Sequence, residues 1–151
     1  MGINEEINQR QFRTSKQKAL INLMYTHNFL VNHMNLVFKG FDITRQQYNV
    51  LRILRGSHPE PVTINLIKER MLDKMSDASR IVDRLKAKGL VIRAKSNSDR
   101  RAAHVNISEK GLSFLERTDA AVLQFDDLLA NLSDQEVSTL NELLDKIRVA
   151  T

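Results

Sequence analysis

The chain of 151 residues contains no cysteine and no tryptophan, and it has only two prolines and five glycines. Without cysteine it can form no disulfide bond, no thiolate metal site and no cysteine-based redox switch. No apolar run approaches the roughly 18 residues of a membrane span, and the opening MGINEEINQR lacks the apolar stretch of a secretory signal. Glu6 stands where an N-myristoylation motif requires Ser or Thr. We therefore expect a cytoplasmic protein that does not bind membranes.

Motifs for catalysis and metal binding are also missing. The sequence has no glycine-rich phosphate loop and no nucleophile motif. His27 and His33 are six residues apart and share no helix face, while His58 and His104 are remote in sequence. The sequence therefore predicts no enzyme, with no catalytic residue to name, no metal site and no cofactor.

Positive charge is concentrated in the middle of the chain. Residues 63–107 contain eleven Lys or Arg and five Asp or Glu, a net charge of +6, whereas residues 1–62 carry +4 and residues 108–151 carry −5. Such a concentration is typical of a nucleic-acid-binding segment, and a solvated basic face is the alternative.

The spacing of apolar residues predicts several helices before this basic region. A long first helix is expected over about 15–39, ended by Gly40. The capping-box spacing of Thr44 and Gln47 starts a second helix, which the loop 56–61 ends with its two prolines. Thr63 is expected to cap a short third helix.

The basic region itself reads as a helix followed by a two-stranded ribbon. Ser76 is expected to cap the helix, which Gly89 ends. Strands are expected at 90–95 and at 103–107, where apolar and polar residues alternate around a polar turn. This order is typical of a winged helix-turn-helix, whose helix fits the major groove of DNA while the ribbon reaches the minor groove.

Two further helices are expected after the ribbon, one capped by Ser108 and one beginning at the capping box of residues 133–136. The predicted fold class is therefore mainly α (α+β): a winged helix-turn-helix in the order α-α-α-α-β-β-α-α. We assign residues 42–111 to the winged-helix core of a single chain, 1–151. Residues 1–40 and 112–151 are apolar on one side and are expected to form a homodimer, the alternative being that they pack only on their own domain.

Three segments resemble the multiple-antibiotic-resistance repressor (MarR) family of bacterial winged-helix regulators. DRRAAHVNISEKG at 99–111 is similar to the family's wing signature, RIVDRLKAKGLV at 80–91 to the end of its recognition helix, and DITRQQYNVLRIL at 42–54 to an earlier helix. The resemblance covers nearly the whole chain, and it implies a DNA-binding transcriptional regulator that acts as a repressor. Lys68 and Leu72 depart from the small residue and the glycine that many helix-turn-helix sequences have nearby, so the turn before Ser76 is expected to be shaped differently.

The start of the reader helix is where we expect the contacts with DNA. Free N–H groups and the positive end of the helix dipole favour phosphates there, and Arg is the commonest reader of guanine. Arg80 is expected to contact guanine, with a phosphate contact or an ion pair with Asp77 or Asp83 as the alternatives. Arg84 is expected to contact a phosphate. The full predicted set on this helix is Ser76, Asp77, Ser79, Arg80 and Arg84.

In the ribbon, Arg100 and Arg101 flank the turn, and one of them is expected to enter a narrow minor groove. The alternative is an exposed arginine pair without a partner. Lys95 is expected to add nonspecific attraction to phosphates. The resemblance implies that Asp99 and Arg101 support the wing tip.

A symmetric dimer would read a pseudopalindromic double-stranded operator with half-sites about 10 base pairs apart. The resemblance also implies a small anionic or phenolic effector that binds between the dimer helices and the reader and releases the DNA. The candidates for lining that cleft are His27, Asn28, Val31, Asn32, Tyr48 and Arg52, and the alternative is that they are ordinary residues of the core edge and the interface. The rival function is a dimeric winged-helix module that docks a protein and binds no specific DNA.

Overall fold

The computed structural model describes residues 1–94 and 103–149, and it divides into two compact units, Met1–Asp42 and Ile43–Thr151. Within these described ranges no helix has the length and apolar character needed to cross a membrane. The described His, Asp and Glu residues form no cluster that could hold a metal ion.

The first unit consists of a short helix, α1 (Ile3–Glu6), and a long helix, α2 (Ser15–Gly40). The hydroxyl of Thr14 caps α2 by accepting the N–H of Gln17 at 3.0 Å. Helix α2 confirms the predicted first helix and is longer by one residue, because the left-handed residue that follows it is Asp42, with φ 54°, and not Gly40. The α1 helix was not predicted from the sequence. It is tied to α2 by the Tyr25 hydroxyl, which donates to Glu6 Oε2 at 2.8 Å.

The second unit has the predicted order of elements, with two short additions. In chain order it contains α3 (Arg45–Ser57), β1 (Val62–Thr63), α4 (Ile64–Arg70), α5 (Ala78–Ala87), β2 (Val91–Ala94), β3 (His104–Ile107), α6 (Glu109–Leu123), a 3₁₀-helix (Gln124–Leu129) and α7 (Asp134–Ile147). The additions are β1, which is too short to show a sequence period, and the 3₁₀-helix, which replaces the end of the predicted long helix after Ser108. Helix α3 also extends through residues that the sequence assigned to a loop, ending at Ser57.

The strands form a three-stranded antiparallel sheet in the order β1-β3-β2. Val105 in β3 lies opposite Val62 in β1, and Ile107 lies opposite Val91 in β2. Successive side chains of a strand point to opposite faces, so Val105 and Ile107, two positions apart, share one face of the sheet. Both side chains are buried. The sheet confirms the predicted ribbon and gives it a third strand at its base.

The core of this unit lies where α3, α4, α5 and α6 meet. Each of these four helices contributes one fully buried side chain, in the order Leu51, Ile67, Leu85 and Leu115. Burying such a side chain stabilises a fold by about 1.5–3 kcal/mol. The mainly helical winged fold predicted from the sequence is confirmed, and its core holds α5 in place from behind.

Candidate nucleic-acid interface

Helix α5 presents one face to solvent and buries the other. Ala78, Val82 and Leu85 are buried, and the helix packs against α3 and α4. The opposite face, which the sequence predicted to point outward, is exposed at every position: Asp77, Ser79, Arg80, Asp83, Arg84 and Ala87. The helix therefore offers a polar, arginine-bearing surface on a rigid support.

The N-terminus of α5 is capped by Asp77, whose Oδ1 accepts the backbone N–H of Arg80 at 3.1 Å. The prediction that Ser76 is the cap is wrong by one residue. Ser76 belongs to the preceding turn, where its N–H donates to the carbonyl of Asp73 at 3.3 Å. Both Ser and Asp are strong cap formers, so the spacing alone did not separate them. The carboxylate of Asp77 is thus occupied in holding the helix end.

Side chains from neighbouring elements fix the turn between α4 and α5. Asn49 of α3 accepts the N–H of Leu72 with Oδ1 at 2.9 Å. The ammonium group of Lys74 donates to the carbonyls of Lys68, at 3.4 Å, and Glu69, which satisfies the free carbonyls at the end of α4. Asn49 was not singled out from the sequence, since its role depends on a contact 23 positions away.

Among the residues that the structure describes, the guanidinium groups of Arg80 and Arg84 on the outward face are exposed and form no ion pair. Neither Asp77 nor Asp83 forms an ion pair with Arg80 in the part of the chain that the structure describes. Of the alternatives for Arg80, the local ion pair is therefore not formed in the free protein. A guanine contact and a phosphate contact both stay open predictions, and so does the phosphate contact of Arg84.

The C-terminal end of α5 is tied to the first turn of α6. Gly89 has φ 75°, the left-handed conformation expected at this position. Its carbonyl accepts the Ser108 hydroxyl at 2.7 Å, and the Ser108 N–H donates to the carbonyl of Leu90 at 3.0 Å. Lys110 Nζ donates to the carbonyl of Lys88 at 2.9 Å. These bonds fix where the ribbon leaves the helix.

The ribbon carries part of the predicted contact set. Arg93 on β2 is exposed. The predicted wing residues Lys95, Asp99, Arg100 and Arg101 lie outside the described residues, and their roles stay predictions.

Helix α3 is fastened to α6 by an ion pair at its far end. Arg55 Nη1 lies 2.9 Å from Asp119 Oδ2. The hydrogen bond to Asp119 is the main cause that raises the pKa of Arg55, and burial opposes it. A guanidinium is charged at any physiological pH, so the pair stays formed across that range. The core helices behind α5 are therefore joined by packing and by this bridge.

The residues predicted to line an effector cleft fall into two groups, one in each unit. His27, Asn28 and Asn32 are exposed on α2, and Val31 is half-buried. Tyr48 is buried on α3, and Arg52, one turn further, is exposed and donates to the Tyr48 hydroxyl at 3.4 Å. The structure brings Tyr48 and Arg52 together, and the cleft between the two groups stays a prediction.

Comparison with known proteins places this geometry in a family. The model of the MarR family matches residues 41–102, which include α3, α4, α5 and β2. The HTH-type transcriptional regulator MhqR of Bacillus subtilis is 28% identical over 132 residues, which span 86% of this chain and 89% of that protein.

Two solved structures extend the likeness to nearly the whole chain. The MarR transcription factor from Planctomyces limnophilus is 30% identical, with a TM-score of 0.68 over 89% of this chain and 98% of that one. A mutant of MarR from E. coli, crystallised with operator DNA, is 26% identical, with a TM-score of 0.72 over 99% of this chain and 100% of that one. The resemblance in the sequence motifs is thus confirmed along the chain. The chain belongs to the MarR family of transcriptional regulators.

Proposed function

We propose that this chain is a transcriptional repressor that binds a pseudopalindromic operator as a homodimer. The observation that carries the proposal is the outward face of α5, where Arg80 and Arg84 are exposed while the opposite face is fixed in the core. A helix held in this way can enter the major groove, with the ribbon reaching the next minor groove. A relative crystallised on operator DNA also favours DNA over a protein as the ligand of this surface. Such activity is equilibrium binding, which requires no catalytic residue. Because its proposed target is DNA, we also propose a cytoplasmic location.

Exposed apolar residues on two helices support the homodimer. Four large apolar side chains on α2 are 58%, 53%, 48% and 71% exposed: Leu20, Met24, Phe29 and Leu36. Helix α7 contains no buried residue, and its Leu143 and Ile147 are 54% and 63% exposed. Covering this apolar surface with a second copy would lower its free energy by about 25 cal/mol per Å². Residues 1–40 and 112–151 are therefore proposed as dimerisation helices around the winged core, 42–111.

The operator can be identified by selection from a library of random duplexes, followed by fluorescence anisotropy at several salt concentrations. We expect an enriched pseudopalindrome with half-sites about one helical turn apart. Binding should weaken steeply as salt rises, because displaced counterions drive it. Failure to enrich any sequence, with equal affinity for random duplexes, would contradict the proposal.

The role of α5 can be tested with two variants that remove the same charge. Arg80→Ala removes a proposed base contact, and its operator affinity should fall by about fivefold to 150-fold, the range for a bidentate contact with guanine. The matched control is Arg117→Ala on α6, whose guanidinium lies over the Phe114 ring, 5.4 Å from its centroid. An equal loss in both variants would show that α5 contributes only general charge. If Arg80 contacts a phosphate instead, its loss should be the same on every sequence.

We further propose that a small anionic or phenolic molecule releases the operator. Arg52 supplies a cation and Tyr48 a hydroxyl on α3, 3.4 Å apart, and His27, Asn28, Val31 and Asn32 supply polar and apolar groups on α2. Such a ligand can act only through a higher affinity for the conformation that does not bind DNA. Benzoate and phenol are suitable probes, and Arg52→Gln should abolish release by benzoate while leaving operator affinity unchanged. Release that persists in this variant would place the effector elsewhere.

A further inference from the structure

Two large apolar side chains stand out from the turn that precedes α5. Met75 is 93% exposed and Leu72 is 84% exposed, whereas Met71, beside them in the sequence, is 2% exposed and belongs to the core. Single exposed apolar residues are common on protein surfaces, so exposure alone assigns no role. This turn lies directly before the helix that is proposed to enter the major groove, so an exposed side chain here is close to where DNA would bind.

Hydrogen bonds on both sides hold the backbone at Met75. Its N–H donates to Asp73 Oδ1 at 3.0 Å, and the next N–H, that of Ser76, donates to the Asp73 carbonyl at 3.3 Å. Two residues later, Asp77 caps α5 through the N–H of Arg80. Met75 is therefore presented at a fixed point beside the N-terminal end of α5, which is the end that reads base edges in helix-turn-helix proteins.

We propose that Met75 contacts the C5-methyl group of a thymine in each operator half-site and so helps to specify that base pair; this rests on the proposed DNA-binding function of α5. The thymine methyl is the apolar group that the major groove displays. An unbranched, polarizable thioether adapts its shape to such a group, and it can make no charged or strong hydrogen-bonded contact with a phosphate.

Leu72 offers a matched control in the same turn. It is exposed to a similar extent, but it lies three residues earlier, and its N–H is bound to Asn49 of α3. This bond places Leu72 at the end of α4 and not at the start of α5. Truncating Leu72 removes a similar amount of exposed apolar surface without touching the proposed reader.

The test combines protein variants with operators that lack single methyl groups. Each thymine of one selected half-site is replaced in turn by deoxyuridine, which keeps the base pair and its O4 acceptor and loses only the methyl. Wild-type protein should bind about fourfold more weakly at one position, the effect of losing one buried methyl group. Met75→Ala should bind the thymine operator more weakly and should no longer distinguish thymine from uracil at that position. Leu72→Ala should keep the full discrimination.

Each result leads to a definite conclusion. Loss of discrimination in Met75→Ala alone supports the proposal. Full discrimination in Met75→Ala at every position overturns it, and so does equal loss in Leu72→Ala, or wild-type indifference to every methyl. Normal operator affinity in Met75→Ala, with unchanged discrimination, would likewise reject the thymine contact. Absence of any specific binding by wild-type protein would instead refute the function proposed for α5, so the two failures are distinguishable.

Discussion

Replacement of Gly111 by alanine should destabilise this protein, although general helix propensity predicts the reverse. Gly111 lies in the first turn of α6, where its N–H donates to the Ser108 hydroxyl at 3.0 Å. In an open helical position alanine is more favourable than glycine by about 1 kcal/mol. Here, however, a Cβ atom would lie 2.2 Å from the carbonyl oxygen of Leu90 and 2.6 Å from Cγ1 of Ile107. A backbone oxygen cannot rotate away, so Leu90 or α6 must move.

The size of the effect follows from three terms. Overpacking of a filled site costs about 1–3 kcal/mol. The carbonyl of Leu90 also accepts the N–H of Ser108 at 3.0 Å, and weakening that bond adds about 0.5–1.5 kcal/mol. The helix propensity of alanine offsets about 1 kcal/mol of these two losses, so the net loss of stability is about 0.5–3.5 kcal/mol. For a domain of this size each 1 kcal/mol lowers Tm by about 2–4 °C.

The measurement is urea denaturation of wild-type protein, Gly111→Ala and Gly56→Ala at one protein concentration, since dimerisation makes stability depend on concentration. Gly56 is the matched control, because it lies in α3 and a Cβ there meets nothing within 4 Å. We expect Gly56→Ala to gain about 0.5–1 kcal/mol. If Gly111→Ala is as stable as wild-type protein, the close packing of α6 against Leu90 is wrong.

Three further outcomes are expected. A double-mutant cycle on Arg55 and Asp119, by urea denaturation, should give a coupling below about 1 kcal/mol, because the two side chains are 31% and 41% exposed; a coupling well above that value would mean the bridge is shielded from water. The hydrogen bond to Glu6 raises the pKa of the Tyr25 hydroxyl. The stabilisation from this bond is therefore complete below the ordinary tyrosine pKa and is lost as pH rises through the raised pKa. The difference in stability between wild-type protein and Tyr25→Phe should vanish at alkaline pH, and a difference that does not depend on pH would reject this bond. Hydrogen peroxide converts the thioether of Met75 to a sulfoxide with release of water, and it should weaken operator binding because the side chain becomes polar. Met75→Leu should keep its operator affinity after the same treatment. Equal losses of affinity in the two proteins would point to another methionine.

Local signals in the sequence predicted the elements well, because their causes are local. Thr44 with Gln47, and Ser133 with Glu136, form the two capping boxes that their spacing indicated. Gly89 takes the left-handed conformation at the end of α5 that its position predicted. In each case the interacting groups are within a few residues of one another, so the chain carries the full information in a short window.

Features that depend on distant contacts could not be predicted in this way. β1 is two residues long and exists because Val62 and Thr63 pair with β3. Two residues are too few to show the alternation of apolar and polar residues that predicts a strand. Asn49 fixes the turn before α5 from another helix. The choice of Asp77 over Ser76 as the cap depends on how Asp73 has already shaped that turn. The candidate site is therefore predictable in its surface chemistry and not in the contacts that position it.

Those positioning contacts connect recognition to stability. Helix α5 is held at its start by a turn that Asn49 and Asp73 fix, and at its end by the bonds that join Gly89 and Leu90 to Ser108. Because both ends are fixed to neighbouring elements, a shift in α3 or α6 must change the direction of α5 or break one of these bonds. An effector that moved either helix would thus alter DNA affinity without touching a residue that contacts DNA. A substitution such as Gly111→Ala, which forces Leu90 or α6 to move, should accordingly reduce operator affinity as well as stability, even though Gly111 itself faces the core.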